Sequence, residues 1–312
     1  MNKTGSKRLR LGLRTRSDIV FDVFNTCILI FLSLICLYPI YFTIIASFSD
    51  PDMVIKGQVY LAIRGFTLES YQEMMRYKSI ISGYRNSIIY TTIGTVWNLV
   101  VMIPAAYALS KPQLKGRKIF MFFFMFTMYF GGGMIPSYLL LKDMGLINNP
   151  LVLIIPNAVS VYNMLITRTF FESNFSESLA ESARIDGAGE MRIFLQIVLP
   201  LSGAIVAVMA LYHGVARWNS YFNALLYIRE GKYYPLQLIM HQILNTSQNS
   251  MAGHSGNMNM STEEMAELVR RQRMAQTMRY ALVILANIPV FVAYPFVSKH
   301  FVRGVMIGAV KG

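Results

Sequence analysis

The sequence predicts an all-α, polytopic membrane protein with six transmembrane helices, and three observations carry that prediction. Of the 312 residues, 54% are hydrophobic and only 14% are Asp, Glu, Lys or Arg, whereas soluble proteins run at roughly a quarter charged. Mean hydropathy is positive, at +0.42. The charges are also gathered between six long charge-free windows rather than spread along the chain. A formal charge of +13 would by itself suit a nucleic-acid binder, but such a protein distributes its charge over a wetted surface. Disorder is excluded because a chain this apolar does not stay dispersed in water.

The windows are residues 23–49, 86–110, 119–141, 144–167, 193–212 and 280–298. Each is long enough for a helix to cross about 30 Å of hydrocarbon, which takes about 20 residues. Backbone groups find no water there, so helices are expected. The alternation of a membrane barrel is missing, since residues 119–128 are apolar on every face. The first window exceeds the h-region of a cleaved leader and reads as a retained signal anchor. Cys27 and Cys36 lie about 13 Å apart along it, too far for an internal disulfide. The fifth continues past His213 and Arg217 towards Ile228, which sets both side chains deep and facing protein or a watery cavity.

Orientation follows from the basic residues. Lys3, Lys7, Arg8, Arg10, Arg14 and Arg16 precede the first window, Lys111, Lys115, Arg117 and Lys118 fill the second turn, and Lys299, Arg303 and Lys311 follow the sixth. Both termini are therefore expected in the cytoplasm. The expected organisation is a basic arm (1–19), a permeating domain (20–300, with an inner loop at 172–192 and an outer one at 229–279) and a tail (301–312). In the first outer segment, Thr67 is expected to cap a short helix with Leu68, Tyr71, Met74 and Met75 on its apolar face. In the second, a polar stretch at 245–260 precedes a helix from Thr262 towards Met278, capped by Ser261.

The inner loop between windows four and five is unusual. Glu172, Glu177, Glu181, Asp186 and Glu190 oppose the positive-inside tendency. The residues read as a short helix, a turn at Gly187 and a second helix entering the membrane, with Pro200 preventing one smooth helix. A plain connector gains little from such acidity, so a docking surface is expected. Glu181-Ser182-Ala183, then Gly187, then Ile197-Val198-Leu199-Pro200 resembles the EAA loop of ABC-importer permeases, with Ser182 in place of the second Ala. Asp186-Gly187-Ala188 also matches the core common in sugar permeases. The resemblance extends to Phe66–Tyr71, Trp218–Phe222, Tyr234–Leu238 and the tail 301–312. With Gly131–Pro136 it is similar to the LplC-like subgroup for complex saccharides, within the group of the second maltose permease subunit.

That resemblance implies the type I importer permease fold and a coupling element of Glu181, Ser182, Ala183, Asp186, Gly187, Ala188, Ile197, Leu199 and Pro200, seated in a cleft of a cytosolic ATPase. It also implies partners: a second permease, two ATPase subunits and an extracellular or periplasmic solute-binding protein, with a saccharide as substrate. No cofactor is expected on this chain, ATP and Mg being held by the ATPase subunits. Nucleic acid is not an expected partner; membrane lipid is. Tyr162, Asn163, Asn219, Tyr221 and Asn223 are candidates for sugar contact, because saccharides need hydroxyl partners and aromatic faces. Interhelical hydrogen bonding is the competing explanation for each. Gly131, Gly132 and Gly133 mark either close helix packing or a local unwinding that lines the solute path.

The four His are scattered, and no Walker motif or nucleophile elbow appears, so an enzyme is not expected. A stand-alone secondary transporter is the alternative, and it would need intramembrane ionisable residues for coupling.

Overall fold

A computed structural model of the chain describes residues 16–253, 278–292 and 294–295. All regular structure among them is helical. The basic arm before Arg16, the expected helix over 262–277 and the tail lie outside the described residues.

Helix α1 (Arg16–Ser47) is apolar on every side and almost wholly exposed until Ile45, Ala46 and Ser47. Such a surface needs lipid or another chain to cover it. A loop then folds back on itself. Asp50 caps α2 (Pro51–Ile55) by accepting from Asp52 N–H at 2.8 Å, and Thr67 N–H donates to the Phe48 carbonyl at 3.0 Å. Thr67 does serve α3 (Glu69–Arg76), its hydroxyl accepting from Glu69 N–H at 3.2 Å. Tyr71 and Met74 face the core as expected, but Leu68 and Met75 are exposed.

Helix α4 (Lys78–Ser110), about 50 Å long at 1.5 Å per residue, is the interior post. Helix α5 (Arg117–Tyr129) and α6 (Met134–Asp143) follow, then a 3₁₀ turn (Pro150–Leu153), α7 (Val161–Asn174) and α8 (Glu177–Ile185). Helix α9 (Glu190–Leu201) leads into α10 (Gly203–Trp218), and α11 (Phe222–Tyr227) into α12 (Leu236–Gly253). The described part of the sixth window is α13 (Met278–Val292).

The windows therefore do not map one to one onto straight spans. By length and composition, α1 and α4 are continuous spans, and α5–α6 and α9–α10 are bent pairs, with angles of 113° and 80°. The third window breaks at Gly131–Gly133, where Gly133 adopts φ +88° and nothing lies within 4 Å of a Cβ built at Gly131 or Gly132. The backbone is unwound at these glycines. The fourth window starts in a turned segment, with Asn148 and Asn157 at positive φ and Pro150 and Pro156 nearby, so its helix begins only at Val161. It then runs past Arg168 and Glu172, which pair with each other at 2.6 Å.

Pro200 also acts differently from expectation. Helix α9 passes through it by widening to one π turn over Phe194–Val198, which accommodates the missing N–H and the ring's clash with the carbonyl of the preceding turn. The break falls at Ser202. The first part of the polar stretch after Asn245 continues α12 to Gly253.

Two clusters sit at opposite ends of α4. One joins Met102, Ala106 and Tyr107 to Met164, Phe171, Phe194 and Met209. The other joins Ile80 to Trp218, Leu236, Ile239 and Leu282. At the second end α4 presents Gly83, Asn86, Ser87 and Tyr90 on one helical face. Asn86 Nδ2 donates to the carbonyls of Lys232 (2.8 Å) and Tyr234 (3.1 Å), Ser87 Oγ accepts from Leu236 N–H (2.8 Å), and Tyr90 donates to the Tyr233 carbonyl (3.2 Å). A Cβ at Gly83 would lie 2.5 Å from Ile239 Cδ1 and 3.1 Å from Leu236 Cα.

Gly83→Val is expected to prise α12 from α4 and lower the unfolding temperature in detergent by several degrees. Asn86→Ala strips the donor from two carbonyls and should cost about 1–3 kcal/mol in the same assay. A second prediction concerns the clasp beside this face. Asn148 Oδ1 accepts from Arg229 and Glu230 N–H at 3.1 Å, and its Nδ2 donates to Glu230 at 2.6 Å. Lys232 first, and then Asn148, hold the Glu230 carboxyl below its ordinary value by hydrogen bonding to it. A depressed folded pKa stabilises above the unfolded value and is lost as pH falls through the folded one. Amide exchange over 146–149 and 229–233, corrected for intrinsic rate, should stay constant from pH 7 to about 5 and quicken below about 4. Glu230→Gln should remove that pH dependence.

Candidate functional site

Two regions could carry function, at different depths of the bundle. The first is α8 with its turn. Ala180 and Ala183 are buried and small, which lets α8 lie close on the cluster around Tyr107, Phe171 and Phe194. Glu181, Ser182 and Asp186 face outward, and so do Ile185, at 87% exposure, and Met191. An apolar tip of that size ringed by acids is a surface with nothing on it among the described residues.

The turn is a Schellman cap. Gly187 N–H donates to the Arg184 carbonyl at 3.0 Å and Ala188 N–H to the Ala183 carbonyl at 2.9 Å. Gly187 sits at φ +80°, where a side chain is strained. Ala188 packs on the same cluster as Ala183, the apolar contact that such caps commonly make. Arg184 then ties the two helices together. Its Nε donates to Glu190 at 2.7 Å, and its Nη1 lies 3.8 Å from Glu177 Oε1. Gln113 bonds Glu177, and Arg117 and Arg168 both bond Glu172, so the turn after α4 is stitched to the same element. A cavity of about 450 Å³, with Tyr107, Lys111, Arg184 and Phe194 in its wall, lies between them. Further along α9, Ile197 and Leu199 are half-buried against the cluster and Pro200 is exposed.

The second region is a polar cavity of about 260 Å³ between α4, α10 and the broken segment before α7. His213 and Arg217, one turn apart on α10, meet Asn98 of α4. Asn98 Nδ2 lies 2.8 Å from His213 Nδ1, and Arg217 donates to Asn98 Oδ1 at 2.6 Å, to the Ile154 carbonyl at 2.8 Å and to the Leu153 carbonyl. Gly94, at the midpoint of α4, makes room, for a Cβ there would lie 2.6 Å from Arg217 Cδ and Nε. A charged side chain at mid-membrane costs about 2.5–3.5 kcal/mol on an insertion scale, so these hydrogen bonds are needed to hold it.

The structure does not gather the sugar-contact candidates into one site. Asn223 lines the polar cavity. Asn163 is half-buried one turn after Ser160, which also lines it. Tyr162 and Asn219 are exposed, Tyr221 stacks on His241 at 4.6 Å, and Gly131–Gly133 are exposed at the α5–α6 break. Asn98 and Arg217 were not among the candidates. The signal for Arg217 was its i, i+4 pairing with His213 inside an apolar run, and Asn98 had none.

Comparison with known proteins agrees with the EAA pattern. The family of the binding-protein-dependent transport system inner membrane component matches residues 79–307. The polygalacturonan/rhamnogalacturonan transport system permease protein YtcP of Bacillus subtilis is 36% identical over 293 residues, 94% of this chain and 99% of that one. Protein LplC of the same organism is 34% identical over 298 residues, 96% and 97% of the two chains. A chain in the crystal structure of a bacterial ABC transporter involved in the import of the acidic polysaccharide alginate superposes with a TM-score of 0.80 at 33% identity, covering 92% of this chain and 98% of that one. Membership sets the stand-alone secondary transporter aside. The chain belongs to the binding-protein-dependent transport inner membrane component family, the membrane-spanning permeases of ABC importers.

Proposed function

We propose that this chain forms half of the translocation pathway for a polymer-derived saccharide, paired with a second, non-identical permease. The capped turn at Gly187 carries the reading. It joins a small-residue face held by the core to an acidic, apolar-tipped face that none of the described residues covers, at the positions where the EAA pattern falls. Glu181, Ser182, Ala183, Asp186, Gly187 and Ala188 form the part seated in the ATPase cleft, and Ile197, Leu199 and Pro200 anchor the helix that receives the push. Two ATPase subunits supply ATP and Mg, and this subunit catalyses no reaction itself. A solute-binding protein delivers cargo to the outer face, where the loop at 229–279 lies. Both termini are cytoplasmic, in a bacterial cell membrane. The names of the relatives support a saccharide cargo, and Asn223 and Asn163, with Tyr162, Asn219 and Tyr221, are proposed as its contacts.

Pulldown of the ATPase subunit and ATP-driven uptake in proteoliposomes test the coupling element. Gly187→Pro cannot adopt φ +80° and loses the N–H of the cap, so uptake is expected to fall at least about tenfold. Glu181 is exposed and holds no part of the fold, so Glu181→Lys should leave the unfolding temperature unchanged while weakening ATPase capture several-fold. Full binding and uptake in both variants would remove the assignment.

A further inference from the structure

Arg217 presents a cation that the coupling mechanism does not use. It lies against the midpoint of α4, in the wall of the polar cavity. Its hydrogen-bond partners are all neutral: the Leu153 and Ile154 carbonyls and Asn98 Oδ1. No Asp or Glu among the described residues pairs with it, and its Nε has no partner. A cation retained at that depth marks a solute or ion path more often than a packing device. A packing device would be better served by a neutral donor, since the carbonyls need hydrogen bonds and not charge. Beside His213 and apolar residues such as Val152, Pro156 and Ala216, the wall carries hydroxyls and amides, among them Ser87, Tyr90, Thr91, Asn157, Ser160 and Asn223. That lining suits a sugar's hydroxyls, and the guanidinium fork suits a carboxylate in the same unit.

Building on the saccharide reading above, we propose that Arg217 reads a carboxylate on the cargo, so that this chain passes acidic saccharides built of uronate units. Asn98 and Gly94 are positioning residues. Asn98 turns the guanidinium through a 2.6 Å hydrogen bond, and Gly94 leaves the space in which it lies. The cavity is smaller than the roughly 300–1,000 Å³ of drug-sized sites and corresponds to one wall of a path that the second permease completes. Its scale is that of a single sugar unit rather than a chain.

The test uses the complete transporter, with both permeases, the ATPase subunits and the binding protein, in proteoliposomes. Initial ATP-driven uptake is compared for trigalacturonate and its methyl ester, which keeps the sugar and removes the charge. The binding protein's own preference cancels when the acid-to-ester ratio of a variant is divided by that of the wild type. Arg217→Gln is expected to lower that ratio about tenfold or more, by slowing the acid, and Arg217→Lys, which keeps the charge but loses the fork, to lower it by less. Should Arg217→Gln not assemble, Gly94→Ala displaces the guanidinium while keeping its charge, and is expected to lower the ratio several-fold. An unchanged ratio in Arg217→Gln or Gly94→Ala overturns the proposal, as does a wild type that carries the ester as fast as the acid. In those cases uptake of a saccharide still stands for the function. A wild type that imports no saccharide with ATP overturns both.

Discussion

In a bilayer every backbone polar group must find its partner inside the protein, and this fold depends on how that demand is met where its helices break. The segments around 150–156 and 228–236 are irregular, so several of their carbonyls, those of residues 153–155 and 232–234 among them, have no helical donor. Side chains of α4 and α10 supply one. Trp97 donates to the Ile155 carbonyl at 3.2 Å, Arg217 to Leu153 and Ile154, and Asn86 and Tyr90 to residues 232–234. The long post is therefore polar along one face, with Gly83 and Gly94 where the backbone or a guanidinium must come close. This face is what allows cavities and broken spans to exist near the middle of an apolar bundle.

The same constraint shapes the link between the two candidate regions. Helices α9 and α10 form one bent unit. Its first turn is tied to α8 through Arg184 and Glu190, and its last turn carries Arg217. The tie outside the membrane rests on charge and is open to solvent, where such pairs contribute little. The aromatic contact of Tyr107 with Phe194, at 5.0 Å between ring centroids, is buried and shared with α4. A displacement of α8 is therefore resisted mainly by packing at Tyr107 and Phe194, and the π turn that begins at Phe194 is the element with the least regular hydrogen bonding beside it.

The long spans and the coupling turn were legible in the sequence because each depends on residues close together. A charge-free run predicts α1 and α4, and a glycine four residues after Ala183 predicts the cap. The breaks were not legible from composition. Gly131–Gly133 reads equally as packing or unwinding until the neighbours are known, and Pro200 reads as a stop although a π turn absorbs it. The polar cavity was least legible of all, since Asn98 and Arg217 are 119 positions apart. Its one local sign was the placing of His213 and Arg217 on one face of an apolar helix.

The neutral partners of Arg217 bear on how a path can use a charge. A built-in carboxylate would have lowered the cost of burying the guanidinium, but it would also have cancelled its field and left little attraction for a passing anion. Three neutral acceptors hold the group in place and leave its charge uncompensated. Solute movement requires binding strong enough to admit the cargo and weak enough to release it. A cation already engaged by Asn98 and two carbonyls must share its donors with the incoming carboxylate, which limits the gain on binding. By this argument the hydrogen bonds that make Arg217 tolerable in the membrane are also what keeps the site from becoming a trap.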